Sequence, residues 1–141
     1  MTASPAATIL RTLMTSPDAR EIEGTIRTAG ERLASLGESL GAEKKKERFA
    51  TIEKIMSAPD FWANQDRART VVDEMRALKA VLDPLDRVRQ ALDDNRELLE
   101  LGVAENDAAT IAEVAGLVAS LPREIDALDR MALLSGPHDR E

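Results

Sequence analysis

The stretch NQDRARTVVDEMRALKAVLDPLDRVRQALDDNRELLEL, Asn64 to Leu101, decides the fold. Val71, Leu78, Leu85, Leu92 and Leu99 recur seven residues apart, and Met75, Leu82 and Val88 fill the alternate positions. Apolar residues at that period form one stripe along a helix, the seam of a coiled-coil-like pair. Sustained over about 40 residues, the seam implies a rod on the order of 60 Å long. Asn64 suits the N-cap, because its side-chain oxygen can accept an orphan backbone N–H of the first turn. Pro84 lies inside the stripe. It removes one backbone hydrogen bond and crowds residue 80, at about 3 kcal/mol if nothing relaxes. The stripe keeps its phase on both sides, which predicts one kinked helix and not two.

Downstream, Gly102 to Asp107 reads as a tight helix-to-helix turn. Ile111, Val114, Val118, Leu121, Ile125, Leu128 and Ala132 then alternate at threes and fours, with a bend expected near Ser120 because of Pro122. Leu134-Ser135-Gly136-Pro137 reads as a stop. A short turn between two long amphipathic helices makes them antiparallel neighbours. Upstream, a helix from Ala42 to Met56 carries Phe49, Ile52 and Ile55 or Met56 inward. Ser57-Ala58-Pro59-Asp60 breaks it, because a residue before proline disfavours the helical region. Phe61 and Trp62 follow, and are expected to plug that corner together. The first helix starts at Ser16-Pro17-Asp18 with a capping hydroxyl, a first-turn proline and a carboxylate at the positive end of the dipole. Its stripe is Ile22, Ile26, Ala29, Leu33, Leu36 and Leu40, and Gly37 and Gly41 are expected to loosen and end it. Residues 1–15 read as a mobile tail, 16–134 as the helical domain and 135–141 as a linker stub.

Composition agrees with this all-α reading, an elongated antiparallel bundle of about four helices dominated by two long coiled-coil-like ones. The 141 residues are 43% hydrophobic but only 2% aromatic, so aliphatic side chains must fill the core. With no Cys and one His, His138, thiolate metal sites, redox pairs and Cys nucleophiles are excluded, and a His-based triad is disfavoured. No apolar run approaches the ~20 residues of a membrane span, and residues 1–15 lack a basic n-region, so the expectation is a cytoplasmic protein with no membrane partner. A net charge of −7 argues against a broad grip on nucleic acid and against sequence-specific DNA binding.

Candidate chemical groups are few. Asp93, Asp94, Glu97, Glu100, Asp126 and Asp129 fall mostly off the apolar stripes beside Arg and Lys, which predicts a solvated face and not an acid–base pair. Lys44, Lys45, Lys46 and Arg48 form the one basic run, read as surface with an RNA phosphate as its functional alternative. Phe61 and Trp62 could stack on a base, but a core plug is preferred. No glycine-rich phosphate loop is present. Catalytic, cofactor-binding and metal residues are therefore expected to be none, and the chain is expected not to be an enzyme.

Ala58-Pro59-Asp60-Phe61-Trp62-Ala63-Asn64, followed by Leu78-Lys79-Ala80-Val81-Leu82-Asp83-Pro84-Leu85, resembles the first domain of the type 2 bacterial peptide chain release factors. Arg96-Glu97-Leu98-Leu99-Glu100-Leu101 is similar to the family's acidic "LLELA"-like stretch. Leu133-Leu134-Ser135-Gly136-Pro137-His138-Asp139 is similar to its "LLSGPHD" boundary, which the type 1 factors lack. The resemblance covers about residues 20–141. It implies a translation-termination factor of the UGA/UAA class and a helical domain that contacts the stalk base of the large ribosomal subunit, near where the GTPase release factor acts. In the family, a codon-reading and peptidyl-hydrolysis core follows this boundary. Its Ser-Pro-Phe and Gly-Gly-Gln motifs are not in this sequence, so no catalytic or codon-reading role transfers to any residue here. The sequence leaves a second function class open: a free-standing helical interaction module, either a competitor of an intact release factor or a self-associating coiled coil. Either the turn at 102–107 or the end around Gly41 and Phe61 could be the contacting tip.

Overall fold

In the computed structural model, which describes residues 17–139, one helix acts as a spine for all the others. In chain order the elements are α1 (Pro17–Ser39), α2 (Ala42–Met56), a 3-10 turn (Phe61–Ala63), α3 (Gln65–Ala104), α4 (Ala108–Val118) and α5 (Leu121–Asp139). No strand occurs among the described residues. The predicted tail at 1–15, and the capping role given to Ser16, lie outside them.

The 40 residues of α3 form one helix, continuous through Pro84. Asn64 caps it as expected, its Oδ1 accepting from the Arg67 N–H at 3.1 Å. All five residues of the seven-residue repeat are buried. The seam also runs further than its apolar members suggest, because Asn95 and Gly102 occupy buried positions in phase with it. Asn95 donates its side-chain N–H to the Ala91 carbonyl at 2.7 Å, which satisfies a polar group inside the stripe.

Two separate cores are strung along this spine. The larger joins α1, the C-terminal half of α3, α4 and α5, with Ile26, Leu92, Val114, Leu121 and Ile125 among its members. We call this half the bundle. The smaller joins α2, the 3-10 turn and the N-terminal half of α3 around Ile52, Phe61, Ala68, Val71, Leu78 and Leu82. This half is the arm. Partly buried Ala42 packs against both cores.

Local chemistry sets the joints between helices. α1 passes through Gly37 and ends at Ser39, and the reversal falls on Gly41 at φ +66°. Gly37 was expected to loosen the helix, yet only Gly41 adopts the left-handed conformation that glycine tolerates. The turn after α3 is tighter than predicted, because the helix continues past Gly102 to Ala104. Asn106, at φ +53°, donates to Val103 O at 3.1 Å and Asp107 donates to Gly102 O at 2.8 Å. This double bond pattern is a Schellman closure. Gly102 is thus a helix residue where α3 and α4 approach closely, not a turn residue.

The predicted fourth helix is divided in two, broken at residues 119–120 instead of bent. Pro122 sits in the first turn of α5, where its missing N–H costs nothing, and Glu124 N–H begins the new ladder on Ser120 O at 3.0 Å. The stop expected at Leu134 to Pro137 also fails, since α5 runs to Asp139. A glycine and a proline cost about 1 and about 3 kcal/mol inside a helix, but a proline this near the end removes a single bond. Phe61 is 3% exposed and plugs the corner, whereas Trp62 is 60% exposed. Successive side chains of a 3-10 turn point about 120° apart, so one three-residue turn can bury only one of the two.

Candidate functional site

The surface is concave where arm meets bundle. A cleft of about 560 Å³ opens there beside α1, α2 and α3, floored by Leu33, Leu82, Leu85 and Leu92. Its rim mixes signs, with Lys44, Lys46, Arg89 and Arg96 against Glu38, Glu43, Asp86 and Asp93. A shallower neighbour shares Lys46 and Arg89 and adds Lys79. Gly30 and Gly37 line the α1 side.

The basic run divides by what each side chain holds. Lys45 folds back to donate from Nζ to the Leu40 carbonyl at 2.6 Å, covering an orphan acceptor at the end of α1. Arg48 makes a two-pronged pair with Glu74, Nε to Oε2 at 2.6 Å and a terminal nitrogen to Oε1 at 2.9 Å, fastening α2 to α3. The Arg48 hydrogen bond holds the Glu74 carboxyl below the usual carboxylate range, and Arg48 is raised in turn. Only Lys44 and Lys46 of the run remain for an external anion.

The acidic candidates are structural too. Asp126 and Asp129 both accept from Arg32, at 2.7 and 3.0 Å, joining α5 to α1 across the bundle. Hydrogen bonds to these two carboxylates raise the Arg32 pKa. Asp93, Asp94, Glu97 and Glu100 are exposed along α3, with Asp93 3.7 Å from Arg96 one turn on. Asp107 caps α4, accepting from the Ala109 and Thr110 N–H groups at 3.1 and 3.2 Å and from the Thr110 hydroxyl at 2.8 Å. The hydroxyl bond, followed by the backbone bond from Thr110, lowers its pKa. Among the described residues no group of three metal-binding side chains converges, and no helix is long and apolar enough to cross a membrane. The His138 side chain lies outside the description.

Sequence reasoning missed two surface features. Lys79 joins Lys46 on one face through helix packing, which no spacing along the chain reveals. Trp62 stands edge-on to Phe61, ring centres 4.7 Å apart at 85°, an exposed indole on a buried foundation.

Comparison with known proteins supplies what the geometry leaves open. The PCRF domain family matches residues 45–141. Peptide chain release factor 2 of Exiguobacterium sp. is 34% identical over 119 residues, 84% of this chain and 32% of that protein. The Salinispora tropica factor of the same name is 35% identical over 107 residues, 76% of this chain and 29% of its own length. That of Staphylococcus saprophyticus is 32% identical over 119 residues, with 84% and 32% covered. The chain therefore spans about a third of the length of the curated relatives it matches. With a family match across more than half its residues and a helical architecture to suit, this chain belongs to the PCRF domain family, and its curated relatives are peptide chain release factors of type 2.

Proposed function

We propose that this chain is the positioning domain of a translation-termination factor, resting on the stalk base of the large ribosomal subunit and orienting a reaction that it does not itself perform. The observation that carries the reading is the 40-residue spine of α3, with helices packed along both of its halves, in a chain of this family. Such a rod holds its two ends about 60 Å apart. Binding energy collected at one end can then restrict the orientation of whatever is joined to the other, and positioning of that kind is a large part of catalysis between bound partners. Lys44, Lys46 and Lys79, which pair with no carboxylate among the described residues, give an otherwise acidic protein cations that can meet an RNA backbone, beside Glu38, Glu43, Asp83, Asp86 and Asp93 of the same clefts.

Chemical footprinting of large-subunit RNA with the purified chain tests this. Protection is expected at the stalk base, and excess chain should slow termination by an intact type 2 factor. Lys44→Glu with Lys46→Glu should weaken the protection and flatten its salt dependence. Protection elsewhere on the subunit, or none at saturating protein, would overturn the assignment.

A further inference from the structure

The path of the chain between the two cores determines where the spine can bend. Between α1 and α5 the backbone passes from bundle to arm once, at Gly41, and returns once, within α3. Gly41 is the left-handed residue between α1 and α2. The return falls near residues 81–85: Leu82 is a member of the arm core and Leu85 of the bundle core, while partly buried Val81 already packs against the bundle core. Pro84 lies between those two leucines, inside the helix. A proline there leaves the Ala80 carbonyl without its helical donor, and unpaired turns are where helices bend. Both crossings lie at the same level of the molecule, beside the cleft, each marked by a single residue: Gly41, whose N–H donates to Glu38 O at 3.1 Å and whose carbonyl accepts from Lys45 N–H at 3.0 Å, and Pro84, which has no N–H to donate.

The side-chain ties respect the same division. Arg48–Glu74 joins α2 to α3 within the arm, and Arg32 to Asp126 and Asp129 joins α1 to α5 within the bundle. The remaining ion pairs among the described residues, Arg76–Asp73, Arg89–Asp86 and Arg96–Asp93, each lie within one turn of α3. None spans from arm to bundle. Lys45 to Leu40 O does cross, but it sits at Gly41 itself, on the axis of any rotation. The cleft supplies the room: its walls include Gly37, Gly41 and Ala42 on one side and Leu82, Leu85 and Asp86 on the other.

We propose that Gly41 and Pro84 form a two-strand hinge about which the arm swings against the bundle, opening and closing the cleft between them. Each half moves as a unit, because each keeps its own apolar core and its own cross-helix ion pair. Hinges of this kind concentrate the change in a few residues that join stiff elements. With 0 Cys in the sequence, introduced pairs can carry spin labels without background. Glu53→Cys on α2 with Glu113→Cys on α4 spans the hinge, and Glu31→Cys on α1 with Glu113→Cys lies within the bundle. All three positions are exposed. Pulsed electron resonance should give a distance distribution about twofold broader across the hinge than within the bundle. Pro84→Ala, which restores the missing donor in a residue that favours helix, should narrow the first and leave the second unchanged. Equal widths in the unaltered chain, or a cross-hinge width that Pro84→Ala does not change, would overturn the proposal.

Discussion

Among the glycines inside helices, Gly24, Gly116 and Gly102 show the two environments that an added methyl group can meet. At Gly24 in α1 and Gly116 in α4 a Cβ would have nothing within 4 Å. Replacing either with Ala removes backbone freedom from the unfolded chain, so each should stabilise the fold by about 0.5–1 kcal/mol in urea denaturation. At Gly102 the same carbon would stand 3.1 Å from Thr110 Cγ2 and 3.2 Å from Ile111 Cγ1. There α4 presses on α3, and Gly102→Ala should destabilise despite the gain in helix propensity. Asp107 offers a test by pH. Its folded pKa is depressed by Thr110, so its contribution is present above the unfolded carboxylate value and is lost as pH falls through the lower, folded one. Asp107→Asn keeps a capping oxygen but has no such titration, and its difference in stability from the parent chain should shrink between neutral and acid pH. At this scale the sequence was least legible. Lys45 and Arg48 read as ordinary surface cations, because one partner is a carbonyl exposed by a left-handed glycine and the other lies 26 residues away.

At the scale of the helix, legibility follows periodicity. The stripe of α3 was readable because a seven-residue repeat over so many turns has no other compact explanation, and the Asn64 cap was a local matter of one side chain and one turn. The bounds of α2 were readable for the same reason, set between a glycine and a proline. The break before Leu121 was harder to place. Its apolar spacing runs through unbroken, and a proline two residues inside a new helix reads much like one that bends an old helix. Core membership has a measurable cost. Leu92 is 3% exposed and Leu117 is 49% exposed. Leu92→Ala should lose about 2–5 kcal/mol of unfolding free energy, through lost burial and the cavity left behind. Leu117→Ala should change it by less than about 0.5 kcal/mol.

For the molecule as a whole, the apolar stripes announce that each helix has a buried face but not which helix covers it. The division of α3 between two sets of partners, α2 along one half and α1, α4 and α5 along the other, is therefore a property of the packing alone. The resulting shape departs from a sphere. A compact chain of this length would have a radius of gyration of about 14 Å. Small-angle scattering should return a clearly larger value, with a maximum dimension of at least about 60 Å set by α3. A radius at the compact value would mean that the arm folds back over the bundle in solution.

The exposed corner also determines how the protein can be watched. Trp62 is the one indole in the sequence, and there is no Tyr. Under ultraviolet excitation, nearly all emitted light therefore originates at the tip of the arm. Because the ring already stands in water, melting of the distant bundle would leave its colour almost untouched, whereas a surface closing over that tip would shift it to the blue. The molecule carries a built-in lamp at one end and none at the other.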